Sequence, residues 1–145
     1  MDTEKNQAEI IEYAKHFIDD KVYFHFIGNQ AGNFEDYWRP LLNEVGVNCV
    51  VHGERSDLYN FYSCMDLFLF TSKGHHFDME TNPLVLKEAM SWQLPIMMYK
   101  LPSYLDKFDG KVTYLTEGDH SFEKNLLKIS LALDMPDKFI KSWNN

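Results

Sequence analysis

Two carboxylates, Glu80 and Glu88, bracket the seven residues Thr-Asn-Pro-Leu-Val-Leu-Lys. Asn82 is a good helix cap and Pro83 a good first helical residue, so the spacing predicts a helix from about Pro83 to Trp92. The opening turn of such a helix leaves backbone N–H groups without intrahelical acceptors, a potential anion site. Leu84, Val85, Leu86, Ala89, Met90 and Trp92 are apolar, and Lys87 and Ser91 form the solvent stripe. Glu88 then falls at the margin of the buried surface, where an unpaired charge is costly. Two readings stay open for it: it rises to solvent beside Lys87, or it accepts hydrogen bonds from the hydroxyls of a ligand. Glu80, at the exit of the polar loop Thr71 to Thr81, reads by itself as a solvated side chain.

The elements that must position these residues alternate. Ile10, Ile11, Ala14, Phe17 and Ile18 recur at the spacing of one helical face, with Asp2 or Thr3 able to cap it. Val22 to Ile27 reads as a strand ending in Gly28, followed by a turn-rich segment and a second helix to about Val45, shortened or bent at Pro40. The strand Asn48 to His52, a helix from about Ser56 and the strand Asp66 to Phe70 come next, the last apolar on both faces and so expected at the sheet centre. After the Pro83 helix come strands at Pro95 to Tyr99 and Val112 to Leu115, then a helix from Phe122. Short connections between alternating strands and helices predict an α/β fold with an open parallel sheet and helices on both faces. Ligands of such sheets bind beyond the carboxyl ends of the strands.

The chain has 145 residues, 45% of them hydrophobic and 15% aromatic, enough for one domain and one core. Its net charge of −8 disfavours a broad nucleic-acid or anionic-membrane surface. The longest apolar runs, Met65 to Phe70, interrupted by Asp66, and Leu94 to Tyr99, are far too short to span a bilayer, and the charged start MDTEKNQ carries no secretion signal, so cytoplasm is the default. Cys49 and Cys64 read as buried reduced thiols. His75, His76 and Asp78 lack the spacing of a metal site, and His25 and His52 read as core or edge residues of strands. Gly28 to Gly32 does not form a dinucleotide fingerprint, and no Gly-x-Ser-x-Gly elbow supplies a serine nucleophile. Tyr59, Phe61, Tyr62 and Phe68 are assigned to the core.

The form Glu80, seven residues, then Glu88-Ala89-Met90, ahead of Gln93-Leu94-Pro95-Ile96, resembles the signature of retaining glycosyltransferases of family 4. Their GT-B fold is built from two facing Rossmann-like domains. Asp57-Leu58-Tyr59 through Met65-Asp66-Leu67-Phe68-Leu69-Phe70-Thr71-Ser72 resembles the helix and strand before that signature, and Gly28 and Gly53 fall where the family has glycines of the donor site. The resemblance runs from about Lys5 to Leu127 and covers the donor-binding domain alone. It implies that Glu88 binds the ribose hydroxyls of a nucleotide, an orienting charge-assisted interaction, and that Glu80 touches the donor sugar near the reacting carbon. It implies that Asn82, Leu84 and Val85 offer backbone N–H groups to the diphosphate, with Pro83 unable to donate. No cofactor or metal is implied, and the chain has no Asp-x-Asp pair.

By the same resemblance Lys5 matches a diphosphate-binding lysine, whereas its residue type alone reads as a solvated helix-start residue. Arg55, in Gly53-Glu54-Arg55-Ser56, matches the place of the nucleotide base and reads equally as a surface partner of Glu54 or Asp57. The partner arginine of Lys5, the first strand and the acceptor-binding domain have no counterpart in the 145 residues. The resemblance therefore implies a fragment, inactive alone, of an enzyme whose partners are a nucleotide sugar and an unspecified acceptor. The alternative from another class is a non-catalytic doubly wound module, either a degenerate transferase or a receiver-like domain. A receiver needs an Asp at the carboxyl end of a central strand, whereas Asp66 begins its strand. A nucleotide-sugar epimerase would need a Gly-rich first turn and a Tyr-x-x-x-Lys pair, and neither occurs.

Overall fold

A computed structural model describes residues 7–26, 43–52, 57–71, 84–101 and 110–139. The chain divides into two compact units, Met1–Leu58 and Tyr59–Asn145. All described strands pair in parallel, which is the Rossmann-like α/β class expected from the alternation of elements.

In the first unit, helix α1 (Gln7–Ala14) continues into a 3₁₀ turn at Lys15–Asp20. Tightening from 3.6 to 3.0 residues per turn puts Ile11, Ala14 and Phe17 in one buried row and turns Ile18 outward, 41% exposed. Ile18 thus leaves the face that uniform α-helical spacing assigns to it. Lys21 ends the turn in the left-handed region (φ 58°). Strand β1 (Phe24–Phe26) pairs with β2 (Cys49–Val51), Phe24 opposite Cys49. Phe17 and Phe24 meet at 5.9 Å between ring centroids. The buried Asn48 amide donates to the carbonyls of Ala14 (3.0 Å) and Val22 (3.1 Å), tying the helix to the strand's entrance. Most of the helix expected before Val45 lies outside the described residues; Asn43 and Glu44 form a turn and Val45 is not helical.

In the second unit, helix α2 (Leu58–Cys64, its first residue at the boundary) leads to β3 (Phe68–Phe70), α3 (Leu84–Ser91), β4 (Ile96–Met98), β5 (Thr113–Tyr114) and α4 (Ser121–Asp134). The strand order is β3-β4-β5. Among the described strands the centre is therefore β4, all three residues of which are buried, and not β3, whose residues are half-buried. An apolar run marks burial on both faces but says nothing about which strand has two neighbours. Leu86, Ala89, Met90, Met97, Ile129 and Ala132 make up much of the core.

Both cysteines are free, but Cys49 is only half-buried and Cys64 is exposed, contrary to the reading of two buried thiols. Cys64 is the last residue of α2 and falls on its solvent side. Burial pushes the Cys49 thiol above its ordinary value, only partly offset by the Gly46 backbone. A smaller thiolate fraction means slower alkylation. Cys64 should therefore label with iodoacetamide before Cys49 in the folded protein, as peptide mass spectrometry would record; the opposite order would contradict the placement of the two thiols.

Candidate functional site

Helix α3 follows β3 and precedes β4 in a parallel ladder, so it runs antiparallel to them and its start lies toward their carboxyl ends. Leu84 and Val85 occupy its first turn, where backbone N–H groups have no intrahelical acceptor. One turn on, Glu88 is half-buried, between the buried Leu86, Ala89 and Met90 and the exposed Lys87 and Ser91. This is the marginal position its spacing predicts. Trp92, assigned to the apolar side, is 43% exposed because the helix has already ended. Gln93 takes a left-handed conformation (φ 56°), its N–H reaching the Met90 carbonyl (2.8 Å) while the Leu94 N–H reaches that of Ala89 (3.2 Å). This pair of bonds caps α3 and sends the chain into β4.

The Glu88 carboxylate has a partner that the sequence reading did not assign. That partner is electrostatic: the phenol of Tyr62, on α2, is perturbed by Glu88. The Tyr62 ring is buried and lies 6.4 Å from that of Phe68, the first residue of β3, at an interplanar angle of 27°. Burial first, then the Glu88 carboxylate, push the Tyr62 phenol far above its ordinary value, so at neutral pH it stays protonated. Of the aromatic set assigned to the core, Tyr62 is buried, Phe61 and Phe68 are half-buried, and Tyr59 is 63% exposed. The available signal was chemical: a buried tyrosine hydroxyl ordinarily finds an acceptor.

Past the end of β5 the Asn125 side chain, fully buried, accepts from the Thr116 N–H (2.7 Å) and donates to the Thr116 carbonyl (2.9 Å). Lys128, one turn along α4, donates to the Tyr114 carbonyl (2.9 Å) and the Thr116 hydroxyl (2.7 Å). Partial burial, with a smaller contribution from the Lys124 charge, lowers its amine from the ordinary value. In the first unit, His25 Nδ1 and His52 Nε2 stand 3.0 Å apart, His25 exposed and His52 half-buried. Among the described residues no three His, Cys, Asp or Glu side chains are grouped to hold a metal ion. No described helix is long and apolar enough to cross a membrane. Asp66 is exposed and precedes β3 at its amino end, the wrong end for a receiver's acceptor aspartate.

The family model for Glycosyl transferases group 1 matches residues 1–129. The chain belongs to that family. The match spans every described element through the first half of α4 and both glutamates of the signature. Membership in a glycosyl transferase family implies a sugar donor and an acceptor, and it agrees with the Rossmann-like half of a GT-B fold that the signature implies. None of the curated proteins matches this glycosyl transferase chain. Of its candidate donor-site residues, the structure describes Glu88 fully and the backbone of Leu84 and Val85. Glu80, Asn82, Lys5, Gly28, Gly53 and Arg55 lie outside the described residues.

Proposed function

We propose that the chain is the donor domain of a group 1 glycosyl transferase, binding a nucleoside-diphosphate sugar for transfer of its glycosyl group with retention and without a metal. What supports this reading is Glu88, half-buried one turn below the open start of α3 inside a family-matched segment. Its carboxylate receives the two ribose hydroxyls. The N–H groups of Asn82, Leu84 and Val85 receive the diphosphate, with Lys5 as a cationic partner. The bond between the anomeric carbon and the diphosphate breaks with its electron pair leaving on the phosphate oxygen. Fixed donors aimed at that growing charge lower the barrier. The acceptor's hydroxyl oxygen forms the new bond on the same face, its proton passing to the departing phosphate oxygen, and Glu80 orients the sugar at the reacting carbon. Gly28 and Gly53 allow close approach of backbone to donor, and Arg55 meets the base. The acceptor is bound by a separate domain.

Titration with UDP, GDP and ADP followed by amide NMR tests the reading. Shifts concentrated between Asn82 and Glu88 for at least one nucleotide are expected. No contact with any of the three would favour a non-catalytic module.

A further inference from the structure

Helix α4 buries one face, at Asn125, Ile129 and Ala132, yet carries apolar side chains on the opposite one as well. Leu127 is 60% exposed, and Leu131 and Met135, at the end of the helix, are exposed too. Lys124, Leu127, Leu131 and Asp134 stand three, four and three residues apart, the spacing of a single outward stripe, and all four are exposed. The two charges that end the stripe have no ion-pair partner among the described residues. Lys124 has instead a like charge, Lys128, one turn on. A lone exposed leucine is ordinary, but an apolar stripe closed at each end by an unspent charge of opposite sign has the form of a contact surface.

We propose that this face of α4 is a self-association surface: two copies of the chain pair through it, antiparallel about a two-fold axis, with Leu127 of each copy against Leu131 of the other. The order of the charges selects both the partner and the direction. Lys124 and Asp134 are equidistant in sequence from Ile129, and so are Leu127 and Leu131. An antiparallel pair centred on Ile129 therefore joins the leucines and sets Lys124 of each copy opposite Asp134 of the other, twice over by symmetry. A parallel pair would set lysine against lysine and aspartate against aspartate. A second copy necessarily carries the same mirrored order, which no other partner is bound to. The chain's net charge of −8 opposes association in general, but this stripe holds one charge of each sign. From Lys124 to Asp134 it is about 15 Å long, so the contact belongs to the small, transient class of interfaces. No residue of the proposed donor site lies on it.

Sedimentation equilibrium of the full chain, from about 10 µM to about 1 mM, is the test, and a dimer with a dissociation constant on the order of 100 µM is expected. Leu127→Glu should weaken it by more than about tenfold, by placing a charge at the centre of the apolar contact. Lys124→Glu and Asp134→Lys should each weaken it about tenfold, since each turns two attractions into two repulsions, whereas the double variant should return to within about threefold of the wild type. Each charge substitution puts at its end of α4 the sign that the helix dipole favours, so the variants keep the fold, as circular dichroism checks. A wild-type chain that stays monomeric across the whole range overturns the proposal and leaves the stripe to a different protein. Dimerisation that survives Leu127→Glu places the contact elsewhere and overturns it too. A double variant as weak as the single ones refutes the antiparallel register.

Discussion

Alanine at Glu88 should weaken nucleoside-diphosphate binding by about a hundredfold, the loss of roughly two charge-assisted hydrogen bonds. The expected size follows from the carboxylate's position. A fully exposed glutamate would trade ligand hydroxyls for water at little cost, and a fully buried one could not be reached. Glu88 is half-buried on an ordered helix, so little backbone ordering is left to oppose the contact. Glutamine at Glu80 should do the reverse in the intact enzyme, lowering turnover while donor affinity holds, because it removes charge near the reacting carbon and preserves shape. Isothermal titration gives the first effect and initial-rate kinetics the second. Negligible effects of both substitutions would strip the two glutamates of their assigned roles.

The second large effect concerns stability. Asn125→Ala should destabilise the fold by about 2–4 kcal/mol, seen as a lower urea midpoint at unchanged slope. Its side-chain amide pairs with both backbone groups of Thr116, as a neighbouring strand would, and it is fully shielded from water. Alanine leaves a donor and an acceptor of the half-buried Thr116 without their partner, each costing free energy, and opens a void besides. Asn125→Asp is the sharper variant. It is nearly the same shape and keeps the bond from the Thr116 N–H, but it turns an oxygen toward the Thr116 carbonyl and buries a charge. A loss below about 0.5 kcal/mol for both variants would show that water satisfies Thr116 instead.

Periodicity located every described strand and the helices at Leu58–Cys64, Leu84–Ser91 and Ser121–Asp134, because burial of apolar side chains dictates all of them. It also placed Glu88 at the border of the core. Its failures share a cause. Ile18 and Trp92 went to the wrong side because the backbone leaves α-helical geometry at Lys15 and after Ser91, a matter of hydrogen bonding that apolar spacing does not encode. The central rank given to Asp66–Phe70 needed strand order, which is a long-range property. Tyr62 and Asn125 were missed as partners for a related reason. Residue type announces that a buried hydroxyl or amide will be satisfied, but not by which group: Asn125 finds Thr116, 9 residues back and past the end of β5.

The two sides of α3 also differ in how they should drift over evolutionary time. Met90 on its inner side is buried, as are Met97 and Met98, which as successive residues of β4 point to opposite faces of the sheet. Flexible, unbranched side chains of this kind repack around substitutions, so leucine or isoleucine could replace any of them while the helix axis stays in place. The reverse turn at Gln93 has no such slack: its backbone tolerates glycine or asparagine and excludes β-branched residues. Among relatives, variability in the layer beneath the helix is therefore compatible with a constant bearing for the carboxylate above it, whereas change at that turn is not.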